Sequence, residues 1–182
     1  MKKVIVFDMD ETIGAFSALS RNMNELTYVL SYELFCNMMR ENDAYLRPGI
    51  LNVLAMVVEA TKVAPGLLFV LYTNNANVEW IGFVVHYLKG QLGVPRLFDH
   101  VVHGADPRRQ PLLEKSVEDL CMCTGIKGLK KCPFFFVDDQ YHEKMNVAAV
   151  TYFLISPYRE PKRNEVTPTV SLQRALIQFF NQ

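Results

Sequence analysis

The order of apolar and polar segments in this 182-residue chain predicts a doubly wound α/β fold built on a mainly parallel sheet. Three observations carry that prediction. Residues 4–7, 67–72 and 134–137 are apolar runs without polar interruption, the pattern of strands buried on both faces rather than of half-exposed ones. Between them lie segments with apolar residues at steps of three or four, as amphipathic helices require. Each apolar run also ends abruptly in a polar cluster, where a strand would leave the sheet.

Taken in order, residues 4–7 form the first strand. Residues 14–46 carry Met23, Leu26, Leu30, Leu34 and Met38 at helical spacing and read as a small helical insertion or cap. Arg47-Pro48-Gly49 closes it, and residues 50–60 form the next helix. Pro65-Gly66 precedes the second strand, and residues 78–89 are helical. Residues 97–102 are a short strand candidate around Asp99 and His100, and residues 112–120 a helix with Lys115 near its start. Pro133 introduces the third long apolar run, residues 147–155 read as a further strand, and residues 172–180 as the last helix. The stretch 157–168, with three prolines and mixed charges, reads as an exposed loop whose Lys162 and Arg163 are solvated. No repeat, low-complexity segment or linker divides the chain, so residues 1–182 read as a single domain containing the 14–46 insertion.

The composition fits a globular protein. Half of the residues are hydrophobic, and at this length folding buries roughly 70% of the surface, enough for a core without disulfide or metal props. Nineteen basic residues balance nineteen acidic ones, so overall charge offers no pull toward nucleic acid or an anionic membrane. Any charge that matters is local. The four cysteines, Cys36, Cys121, Cys123 and Cys132, are too few and too uneven for a secreted disulfide framework. Cys121-Met122-Cys123 also lacks the CxxC spacing usual for zinc. No apolar stretch reaches membrane-spanning length, and Lys2-Lys3 is followed by only four apolar residues before Asp8. A soluble intracellular protein, cytoplasmic or nuclear, is the expectation.

The chemistry-bearing residues are the clusters after the strands: Asp8-Met9-Asp10-Glu11-Thr12, Thr73-Asn74-Asn75 and Asp138-Asp139. In open α/β sheets ligands bind beyond the carboxyl ends of the strands, so these clusters should share one rim. Asp8 and Asp10 stand two apart, which turns both side chains to one side of an extended chain, with Met9 opposite. Four carboxylates close together repel one another unless a cation or a raised pKa relieves them. Oxygen-only ligands point to Mg²⁺ rather than zinc, and Lys115 would add a fixed positive charge. Carboxylates, a threonine hydroxyl, Mg²⁺ and an ammonium together describe phosphoryl-transfer chemistry. Taken one at a time, the clusters also suit turns and helix caps; their joint order is what favours a site.

With those residues in view, the sequence resembles the haloacid dehalogenase superfamily of phosphohydrolases. Asp8-Met9-Asp10-Glu11-Thr12 looks like its DxDxT motif, Thr73 its second motif, Lys115 its third and Asp138-Asp139 its acidic fourth. The DxDET form, Leu46-Arg47-Pro48-Gly49, the Tyr72-Thr73 strand end and Asn146-Val147-Ala148-Ala149-Val150 are similar to the FCP/SCP type. Those phosphatases, which include the NLI-interacting-factor-like proteins, act on the C-terminal domain of RNA polymerase II. The resemblance implies a HAD-like Rossmannoid sheet and a Mg²⁺-dependent phosphatase whose substrate is a phosphoserine or phosphothreonine protein.

By the same resemblance Asp8 is the nucleophile that becomes an aspartyl-phosphate, and Asp10 is the general acid and base, its backbone carbonyl also a metal ligand. Asp8 and Asp139 complete the protein ligands, with Asp138 binding through water or pairing with Lys115. Thr73 Oγ1 and the Asn74 N–H hold phosphate oxygens, and Lys115 offsets their charge. The chain departs from the FCP/SCP type in that residues 14–46 read helical where the family carries a mainly β insertion. That segment either covers the site or packs on the core. A 33-residue span holds no large cap domain, so an open site suited to extended substrates is expected. His142 reads as an exposed loop residue or a substrate contact, His86 as a core or boundary residue, and Arg108 and Arg109 as a solvated surface or a contact for an anionic substrate. A polynucleotide or small-molecule phosphatase and a catalytically silent phospho-binding module are the competing functions; a receiver domain has its phosphorylated Asp at a middle strand and its lysine near the end, whereas Lys115 here precedes the final acidic pair.

Overall fold

The computed structural model describes residues 2–26, 30–109, 114–126, 128, 131–162 and 165–182. Five strands, β1 (Lys3–Phe7), β2 (Leu67–Tyr72), β3 (His100–Val102), β4 (Phe134–Asp138) and β5 (Val150–Leu154), form one sheet. Its order is β3-β2-β1-β4-β5 and every pairing is parallel. Helices α1 (Phe16–Leu26), α2 (Tyr32–Glu41), α3 (Ile50–Val63), α4 (Val78–Leu92), α5 (Val117–Thr124) and α6 (Thr167–Phe180) flank it. The protein is therefore α/β with helices on both faces, a doubly wound Rossmann-like arrangement.

The two faces follow from strand alternation. Ile5, Phe7, Phe69, Leu71, Phe135 and Val137 point into the larger core with side chains of α1, α2, α3, α4 and α6. Val4, Val6, Val70, Tyr72, Phe134 and Phe136 point the other way, where Val117, Leu120 and Cys123 of α5 cover them. Because β1 is central and sealed on both sides, Val4, Ile5, Val6 and Phe7 are fully buried. Truncating one such large side chain, for example Phe135→Ala, should cost about 3–5 kcal/mol.

Several elements differ from their sequence-based outlines. The periodic pattern of residues 23–38 is divided between α1 and α2; Ser31 caps α2 by accepting from the Leu34 N–H, while residues 27–29 lie outside the described residues. Both helices pack on the larger core through Phe16, Leu19, Met23, Phe35 and Met39. Helix α5 starts at Val117, two residues after Lys115, because the Ser116 hydroxyl takes the cap by accepting from the Asp119 N–H. Residues 112 and 113 of that expected helix, and Arg163, lie outside the described residues. Lys162 is exposed. His86 is exposed rather than core: Trp80, Ile81, Val84 and Leu88 turn inward on α4, and position 86 falls on the opposite side, edge-on to Tyr32.

Candidate active site

Register places the chemistry. Phe7 pairs with Leu71 on one side and with Val137 on the other, so Asp8 stands level with Tyr72 and Asp138, one step below Thr73. Alternation sends Tyr72, Phe136 and Asp138 to the α5 face of the sheet, the face from which Lys115 reaches inward. The Lys115 ammonium lies 2.5 Å from Asp8 Oδ1 and 2.7 Å from Asp138 Oδ2, and 5.6 and 5.9 Å from the Tyr72 and Phe136 ring centres. All three charged groups are buried. Burial raises the Asp8 carboxyl against the counteracting pull of Lys115. Burial would lower Lys115, but Asp8 and Asp138 outweigh it and hold the ammonium above its ordinary range.

The loop after β1 turns sharply. Glu11 has φ of 57°, a left-handed conformation that costs a residue with a side chain. Arg47 holds this turn: buried, it donates from Nε to the Thr12 carbonyl at 2.7 Å and from Nη2 to the Glu11 carbonyl at 2.5 Å and the Ser156 carbonyl at 2.7 Å. The Tyr158 ring stacks 5.2 Å away. Thr12 in turn faces Asp139; its Oγ1 donates to Asp139 Oδ1 at 3.3 Å and accepts from the Asp139 N–H at 3.1 Å.

On the β2 side, Thr73 Oγ1 accepts from the Asn75 N–H, and Asn75 Nδ2 donates to Asp10 Oδ2 at 3.1 Å. Asp10 Oδ1 is buried without a hydrogen-bond partner. Burial, with the Asp8 charge adding to it, pushes Asp10 up to about 7. Burial and Asp8 also push Asp139 up to about 6. Helix α4 is capped by Asn77, not by the Thr73 cluster, so Thr73 and Asn74 are not used as its cap.

Asp8, Asp10, Glu11, Thr73, Asn74, Asn75, Lys115, Asp138, Gln140 and His142 thus line one small cavity of about 120 Å³. Every expected catalytic and phosphate-binding residue is among them. Carboxylate oxygens of Asp8, Asp138 and Asp139 lie within 4.8 Å of one another, a set able to hold a metal ion; the Asp10 carboxylate is outside that group. Asp8 and Asp138 are the members of that set that pair with Lys115.

Two sequence-based expectations are corrected here. His142 is buried, because its Nδ1 accepts from the Lys115 N–H at 3.2 Å and its own N–H bonds to Tyr152 Oη. Burial and the nearby ammonium lower it to about 4. The Arg109 side chain is buried as well, 4% exposed, while Arg108 stays at the surface paired with Asp106. Arg109 turns inward because buried acceptors await it: the Thr73 carbonyl at 3.0 Å and Asn74 Oδ1 at 2.8 Å. Arg47 and Asn75 were visible as parts of motifs without a role of their own. Arg109 was singled out only together with Arg108, and nothing in the sequence separated the inward-turned arginine from the exposed one.

Comparison with known proteins adds no relative: no protein-family model matches the chain, and no curated protein matches it. Among the described residues, no helix is long and apolar enough to cross a membrane.

Proposed function

We propose that this protein is a phosphoric monoester hydrolase of the haloacid dehalogenase type, acting through an aspartyl-phosphate on Asp8. The observation that supports it best is the buried contact of one lysine with two carboxylates beside Thr73 and Asn74, on a rim that also presents Asp10. The donor set Asp8, Asp138 and Asp139, all oxygen, fits Mg²⁺ in kind. When bound, that ion would offset the charge of the phosphoryl oxygens.

In the first half-reaction an Asp8 carboxylate oxygen bonds to phosphorus as the ester oxygen leaves, and Asp10 gives that oxygen its proton. Asp10 held up to about 7 by burial suits both roles. In the second, Asp10 takes a proton from water as the water oxygen bonds to phosphorus; the acyl-phosphate bond breaks and Asp8 is regenerated with inorganic phosphate. Thr73 Oγ1 and the Asn74 N–H hold equatorial oxygens, and Lys115 balances Asp8 throughout.

The substrate is a phosphoserine or phosphothreonine protein in this proposal. The cavity is well below the roughly 300 Å³ at the lower end of small-ligand pockets, so it accepts a phosphoryl group and little else. Among the described residues none of 14–46 lines it, which supports a rim open to an extended chain.

Hydrolysis of p-nitrophenyl phosphate, with and without Mg²⁺, by the parent protein and by Asp8→Asn tests the chemistry. Activity of the parent and its loss in the variant are expected; parental turnover by Asp8→Asn would remove the assigned nucleophile. A panel of phosphopeptides, phosphorylated oligonucleotides and small phosphate esters then tests the substrate class. Preference for the oligonucleotides or the small esters would overturn the protein-substrate assignment.

A further inference from the structure

Arg109 stands outside every motif above, yet it joins one of the clusters that make the rim, Thr73-Asn74-Asn75, to the first turn of α5. Its guanidinium donates from Nη1 to the Thr73 carbonyl at 3.0 Å and from Nη2 to Asn74 Oδ1 at 2.8 Å. It lies 4.9 Å from the centre of the Tyr72 ring and 3.9 Å from Asp119 Oδ2 in the first turn of α5. Ser116, the cap of that helix and the neighbour of Lys115, donates its N–H to Tyr72 Oη at 3.2 Å. One buried guanidinium therefore bridges the end of β2 and the first turn of α5, the helix that begins two residues after Lys115.

The peptide geometry gives this fork a direction. The carbonyl of Thr73 and the N–H of Asn74 belong to one planar unit, and no peptide bond among the described residues is cis. In a trans peptide these two groups point in opposite directions, so a Thr73 carbonyl held on Arg109 fixes the Asn74 N–H away from Arg109. Gly104 closes the other side of this loop: a Cβ there would lie 2.2 Å from the Asn74 carbonyl oxygen. The loop is gripped by a guanidinium and backed by bare backbone.

We infer that Arg109 is a positioning residue, which orients the Asn74 N–H and the Thr73 strand end for a phosphoryl oxygen while itself staying out of contact with substrate. This rests on the phosphatase proposal for the same site. A guanidinium suits the task because its two Nη atoms form a rigid fork, whereas a lysine ammonium, with its donors on one nitrogen, cannot span both acceptors with the same geometry.

The test compares the parent protein with Arg109→Met, Arg109→Lys and the surface control Arg108→Met. Three readouts are taken: kcat and KM for p-nitrophenyl phosphate, the inhibition constant of inorganic phosphate, and calorimetric binding of inorganic phosphate. Losing the fork should weaken phosphate binding and raise KM by about tenfold or more, the equivalent of one charge-assisted hydrogen bond. Arg109→Lys should fall between parent and Arg109→Met, and Arg108→Met should match the parent. Phosphate binding and KM at parental values in Arg109→Met would overturn the inference. Should that variant not fold, a parental inhibition constant in Arg109→Lys overturns it equally. A change in melting temperature with phosphate binding untouched would assign Arg109 to stability alone and overturn it too. A parent that neither hydrolyses the ester nor binds phosphate sinks the phosphatase proposal, and this inference with it; an active parent with indifferent variants sinks only the inference.

Discussion

Lys115 Nζ stands 2.5 Å from Asp8 Oδ1, across 107 positions of sequence, and both residues are buried. Its second carboxylate, Asp138, is 2.7 Å away, so one cation serves two acids. Removing it strands both. Lys115→Met should therefore lose about 3–5 kcal/mol of folding stability near neutral pH, measured by urea denaturation. A loss under about 1 kcal/mol would be that of a surface pair and would contradict the buried arrangement.

The crowding of acids also sets how the metal-free protein responds to pH. Burial raises Asp10 to about 7 and Asp139 to about 6, from ordinary values of 3.8. A carboxyl with a raised folded pKa binds its proton more tightly in the folded state. The stability linked to it is complete below the unfolded pKa and is lost as pH rises through the folded one. With a chelator present, denaturation midpoints should fall between about pH 5 and pH 8, each titrating proton contributing at most about 1.4 kcal/mol per pH unit. Asp139→Asn should flatten the slope, and so should added Mg²⁺. An unchanged slope in Asp139→Asn would show that other groups set it.

Gly104 lies against the Asn74 carbonyl, where a Cβ would come within 2.2 Å of backbone oxygen that cannot turn aside. Gly104→Ala should cost about 1–3 kcal/mol by thermal or urea unfolding, as overpacking does. Inhibition by inorganic phosphate should weaken in parallel. Parental stability and inhibition together would show that the loop has room to move.

Arg47 fastens the strained turn after β1 by three donations to carbonyls of Thr12, Glu11 and Ser156. Arg47→Met leaves those buried acceptors without their donor and should destabilise by about 3–5 kcal/mol. Thr12 also carries the Asp139 contact, so calorimetric Mg²⁺ affinity should fall with it. Full Mg²⁺ affinity in a folded Arg47→Met would separate the turn from the carboxylate cluster.

Much of this site was legible in the chain because its residues sit where a local pattern changes. Asp8, Thr73 and Asp138 each follow or end an apolar run, and run length is a local property that strand burial imposes. The burial and the partners of Arg109 and His142 were not legible. Their deciding partners lie 36 and 27 positions away, and nothing near them in sequence distinguishes them from solvated residues. Arg47 looked like turn punctuation, since Pro48 and Gly49 account for the chain's change of direction without any role for the guanidinium.

The sequence by itself determined the strands, the α/β class and the three polar clusters at the strand ends, because periodicity and apolar run length are written residue by residue. Only the tertiary structure decided which groups meet: one lysine between two carboxylates, Asn75 on Asp10, Thr12 on Asp139, and two arginines turned inward to hold the loops. Burial depends on what packs against a residue from elsewhere in the chain. A charged side chain enters the interior only where distant partners repay its lost hydration.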